Sequence, residues 1–142
     1  MKLVVDASVA LKWFLRGQPT EAHVAQAEAV EAATEQGATE LYAPIHWIAE
    51  VIFVLARTKP GSVDDALLVL HDARPIMISG APVLKRAADL SVALNHHLFD
   101  TLYHAVALKA GALLVTADEA YFNKAKELGG LQLLGDFQAG WT

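Results

Sequence analysis

The chain has 142 residues, 54% of them hydrophobic and 19% charged, with a formal net charge of −5. That length fits one domain, residues 1–142, around a single core. The absence of cysteine excludes disulfides and thiolate zinc sites, and the negative charge argues against nucleic-acid binding through a generally basic surface, although bound cations reverse the local charge of an acidic site.

In chain order, LVV (3–5) reads as a short buried strand ending at Asp6, and SVALKWFL as a helix with Ser8 at its N-cap. GQPT breaks that helix, and EAHVAQAEAVEAATEQ (21–36) forms the next, stopped by Gly37. LYA (41–43) is a second strand; Pro44 opens a helix that runs to about Thr58. PGSVDD is a turn and helix start, completed by ALLVLHDAR, and IMI (76–78) is a third strand. VLKRAADLSVALNHH is helical, a break falls near Leu98–Phe99, and DTLYHAVALKAG (100–111) is helical with a glycine stop. ALLVT (112–116) is the clearest strand; DEAYFNKAKELGG is a helix and LQLL a last strand. Short apolar strands alternating with helices predict a three-layer α/β/α domain with a central parallel sheet of four to five short strands. No apolar run is long enough to span a bilayer. The N-terminus acquires an acid too early for a signal peptide, so the expected location is the cytoplasm.

Ligands of parallel α/β sheets bind at the carboxyl ends of the strands. Asp6 ends the first strand, Asp118 follows ALLVT, and Asp100 opens a helix. Glu50 lies in HWIAEVIFVLAR, a helix apolar nearly all round, where an unpaired carboxylate is costly to bury. Helix side chains tilt toward the N-terminus, so Glu50 can reach back toward the strand end that precedes it. These acids then converge on one edge of the sheet. Clustered carboxylates repel and hold protons, and a divalent cation removes the conflict. With oxygen ligands and no cysteine, Mg²⁺ or Mn²⁺ fits best. The matching chemistry is metal-assisted phosphodiester hydrolysis, with one free carboxylate, Asp118 or Glu50, orienting or deprotonating the water. In simpler roles, Asp100 and Asp118 are N-caps, Asp6 is a turn residue, and Glu50 pairs with His46 four residues back.

LVVDASVALKWFL, PIHWIAEVIFVL, FDTLYHAVALKAGALLVTAD and EAYFNKA together resemble the PIN-domain ribonucleases, in particular VapC-like toxins of type II toxin–antitoxin modules. The resemblance covers essentially the whole chain. It implies a metal-dependent endoribonuclease acting on an RNA substrate, with Mg²⁺ as cofactor and Mn²⁺ as substitute. It also implies a homodimer and inhibition by a VapB-like antitoxin. Residue by residue, it assigns Asp6, Glu50, Asp100 and Asp118 as the catalytic acids and Asp6, Asp100 and Asp118 as metal ligands. Ser8 and Thr116 match positions that shape the site or hold a water on the ion. One departure is Phe53, which stands where the family often has asparagine.

Among other features, His46, His96, His97 and His104 could suggest a mixed histidine–carboxylate zinc or iron site, but His96 and His97 read better as partners of helix-end carbonyls and His104 as a partly buried group. Lys12 and Arg16 are candidates for phosphate contact, since their helix starts beside Asp6. Trp13, Phe14, Trp47 and Phe53 are expected in the core, some at a dimer face or antitoxin groove. Two competing functions remain: a phosphatase or receiver-like domain with Asp6 as phosphoacceptor, which VDAS fits poorly for want of a second aspartate, and a non-enzymatic binding or regulatory module.

Overall fold

The computed structural model describes residues 1–138. Five short strands build the sheet: β1 (Lys2–Val5), β2 (Glu40–Ala43), β3 (Ile76–Met77), β4 (Leu113–Thr116) and β5 (Leu131–Leu133). They are all parallel, in the order β3-β2-β1-β4-β5. Leu3, Val4 and Val5 have almost no exposed surface, as an unbroken apolar run requires when both faces of a sheet are covered.

Seven helices cover the faces: α1 (Ala7–Leu15), α2 (Val24–Thr34), α3 (Trp47–Thr58), α4 (Val63–Asp72), α5 (Ala81–Leu94), α6 (Leu98–Ala110) and α7 (Glu119–Ala125). Helices α1 to α4 pack in succession, while α6 lies across β1, β2 and β4 with α5 against it. Right-handed crossovers put these two groups on opposite faces, which is the three-layer arrangement the strand and helix alternation predicts. Among the described residues, no helix is long and apolar enough to cross a membrane.

Several boundaries differ from the sequence reading, each for a local reason. Asp6, not Ser8, caps α1: its backbone is extended and its side chain accepts from the Ser8 amide. Helix α6 starts at Leu98 rather than Asp100, because the His97 imidazole caps it by accepting from the Phe99 amide. Helix α3 starts at Trp47, after a turn in which the Trp47 amide donates to the Pro44 carbonyl. That helix buries a single stripe, Trp47, Val51 and Leu55, and leaves Phe53 61% exposed. Each fully buried side chain of that kind contributes roughly 1.5–3 kcal/mol. Trp13 and Phe14 are in the core as expected, and Phe53 is not.

The topology fixes where ligands bind. From β1 the chain moves outward to β2 and β3, then crosses back to β4 and outward to β5. The order therefore reverses between β1 and β4, and a crevice opens at the carboxyl ends of those two strands. Val5 is in register with Val115, and the Asp6 amide donates to the Val115 carbonyl at 3.1 Å.

Candidate active site

Asp6 stands at that crevice and is 8% exposed. One carboxylate oxygen accepts from Thr116 Oγ1 at 2.7 Å and the other from the Ser8 amide at 3.5 Å. The Thr116 hydroxyl in turn accepts from the Asp118 amide at 3.0 Å. Ser8 Oγ accepts from the Ala117 amide at 3.1 Å, so both hydroxyl residues tie the end of β4 to the start of α1.

Asp118 caps α7, with Oδ1 accepting from the Tyr121 amide at 3.0 Å. Its other oxygen lies 3.7 Å from His96 Nε2. Asp100, in the first turn of α6, places Oδ2 at 3.1 Å from the same nitrogen. Donor atoms of His96, Asp100 and Asp118 all fall within 4.8 Å of one another. Asp6 is not one of that trio; its carboxylate is engaged by Thr116 instead.

Glu50 sits on the flank of α3 beside its buried stripe, with a half-buried side chain. Its Oε1 accepts from the Tyr103 hydroxyl at 3.3 Å and its Oε2 lies 3.4 Å from His46 Nε2. His46 Nε2 also reaches the Phe99 carbonyl at 3.1 Å. Both neighbours are acceptors, so that nitrogen carries the ring proton. Burial holds the His46 pKa below its ordinary value, which keeps the imidazole neutral.

The acids feel one another. Burial pushes the Asp6 carboxyl up to about 6; the Asp100 charge adds to this and the Thr116 hydroxyl opposes it. Glu50 is pushed up to about 7, first by burial and then by the charges of Asp6 and Asp100, with the Tyr103 hydroxyl opposing. Tyr103 and Tyr121 are both raised, mainly by burial, and stay protonated as donors. A site in which carboxylates suppress one another's ionisation is one that a divalent cation stabilises, and the donors present fit such an ion.

The sequence of residues 3–128 matches the family model for the PIN domain. The chain belongs to the PIN domain family. Similar solved structures agree in fold. PAE2754 from Pyrobaculum aerophilum is 18% identical with a TM-score of 0.64, the match covering 94% of this chain and 90% of that one. FitAB bound to the IR36 DNA fragment gives 18% identity and a TM-score of 0.67 over 98% of this chain and 99% of that one. VapBC-1 from nontypeable Haemophilus influenzae gives 13% identity and a TM-score of 0.61 over 94% and 98%. No curated protein sequence matches.

Within this PIN domain the four acids, Asp6, Glu50, Asp100 and Asp118, come from four segments: the end of β1, α3, α6 and the start of α7. Lys12 and Arg16 do not present free charges: Lys12 pairs with Glu21 at 3.0 Å and Arg16 with Glu31 at 2.7 Å. Sequence reasoning missed Tyr103 at Glu50, and it assigned His96 to helix-end carbonyls rather than to two carboxylates. The four-residue spacing of His96 and Asp100 was the available signal. His104 is fully buried away from these acids, between the Tyr121 hydroxyl at 2.7 Å and the Gly129 carbonyl at 2.8 Å.

Proposed function

We propose that this PIN domain is a metal-dependent endoribonuclease and the toxin of a VapBC-like toxin–antitoxin pair. What supports the reading is that the charges of Asp6 and Asp100 act on Glu50 and that of Asp100 on Asp6, while Asp118 lies beside Asp100 and His96. Asp6, Asp100 and Asp118 would hold Mg²⁺, or Mn²⁺ in its place. When bound, the ion polarises the phosphoryl oxygens and lowers the pKa of an attacking water.

The chain's own groups supply the rest. Glu50, raised to about 7, is matched to accept a proton from water near neutral pH. Tyr103 and His46 hold its two oxygens and so fix its direction. Thr116 orients Asp6 while tying it to the Asp118 amide. Asp118 has one oxygen engaged by its helix cap and the other turned to the crevice, which suits a ligand role better than that of a base.

The partners follow from the same reading. Likeness to FitAB and VapBC-1 supports a VapB-like antitoxin, and exposed Phe53, Leu84 and Phe99 supply apolar surface for it and for a homodimer. The protein then acts in the cytoplasm. Incubation of total RNA with the purified protein tests the activity. Cleavage with Mg²⁺ or Mn²⁺, abolished by chelator and by Asp6→Asn, is the expected result. Cleavage that survives both would overturn it.

A further inference from the structure

The acids alone do not account for His96. Asn95 ends α5 in the left-handed conformation, φ 49° and ψ 56°, a turn that asparagine tolerates better than most residues. The turn reverses the chain and sets His96 over the first turn of α6. Its side chain is 12% exposed and its ring meets Tyr121 edge-on at 4.9 Å. Nε2 is aimed between Asp100 and Asp118, at 3.1 Å and 3.7 Å. Ligands of one ion with bonds of about 2.1 Å lie roughly 3.0 Å apart at right angles and roughly 3.4 Å apart in a tetrahedron. The two spacings here are of that size.

We propose that His96 Nε2 ligates the ion together with Asp100 and Asp118, and that this imidazole biases the site toward first-row transition cations over Mg²⁺. The proposal rests on the reading above that the crevice takes a divalent cation. Mg²⁺ prefers oxygen donors and keeps its waters, whereas an imidazole nitrogen favours the softer first-row ions. Coordination through Nε2 puts the ring proton on Nδ1. Lys124 Nζ, 3.3 Å from Nδ1 and 2.8 Å from the Asn95 carbonyl, would then keep only the carbonyl, which its exposed, flexible stem allows.

Mn²⁺ serves as the probe. Electron spin-echo measurements on the purified protein loaded with Mn²⁺ read nitrogen-14 coupling directly. The expected result is an imidazole modulation that disappears in His96→Gln while Mn²⁺ stays bound about tenfold or more weakly. The preference for Mn²⁺ over Mg²⁺ in competition falls in the same variant. Bound Mn²⁺ with no nitrogen modulation in the wild-type protein overturns the proposal and leaves the acid site intact. Modulation that persists in His96→Gln also overturns it. Failure to bind Mn²⁺ at all removes both the proposal and the reading on which it rests.

Discussion

Thr116 donates its hydroxyl hydrogen to Asp6 at 2.7 Å, joining residues 110 positions apart in sequence. Both groups are buried, and the same hydroxyl accepts from the Asp118 amide. One side chain therefore fixes two of the four acids. Replacing it with valine keeps the shape and leaves a buried carboxylate oxygen and a backbone amide without their partner. Thr116→Val is expected to cost about 1–3 kcal/mol in urea unfolding and to raise the Asp6 pKa further. An unchanged midpoint would show that water replaces the hydroxyl without loss.

The raised carboxyls set a pH dependence whose sign is definite. Asp6 at about 6 and Glu50 at about 7 bind protons in the folded state that the unfolded chain has already released, at their ordinary values of 3.8 and 4.5. Stability without metal therefore falls as pH rises from about 4 through about 7. Each group contributes at most about 1.4 kcal/mol per pH unit. Chemical denaturation in chelator at pH 5 and pH 8 checks this, with the midpoint expected to be higher at pH 5. A bound divalent cation favours the ionised carboxylates, so this pH dependence is expected to weaken when Mn²⁺ replaces the chelator.

Glu50→Gln separates chemistry from folding. The amide keeps an acceptor for Tyr103 and removes a charge that repels Asp6 and Asp100. Stability at pH 8 is expected to be equal or higher, while cleavage falls by about 10²- to 10⁴-fold, the usual worth of a positioned base. Full metal-dependent activity in this variant would remove Glu50 from the chemistry.

Loading with an ion stabilises the fold by mass action. At a hundredfold excess over its dissociation constant, Mn²⁺ adds about 2.7 kcal/mol, read as an upward thermal shift that chelator reverses. Asp100→Asn is expected to abolish most of that shift, since Asp100 faces His96 directly and its charge acts on both Asp6 and Glu50.

Much of this was legible in the sequence because strand burial and helix period are local properties. LVV and LLVT are apolar throughout, and a sheet covered on both faces needs that. Asp6 and Asp118 stood out because they follow strand ends, Glu50 because it sits alone in an apolar helix, and Asp100 because it opens a helix in FDTLYHA. What escaped were contacts made across segments. Tyr103 reads as an apolar helix residue, yet its hydroxyl meets Glu50, 53 positions earlier in the chain and on a helix of the other face. His96 and His97 read alike, yet the left-handed turn at Asn95 sends one to the acids and leaves the other to cap α6. Phe53 reads as core, but the one stripe that α3 buries lies on another face.

On the function proposed above, oxygens from separate segments seat one ion at the crevice between β1 and β4. Anomalous diffraction from a crystal soaked in Mn²⁺ tests it most directly. A single strong peak within bonding distance of Asp6, Asp100 and Asp118 is expected. A peak elsewhere on the surface, or none at an ion concentration that supports RNA cleavage, would contradict it.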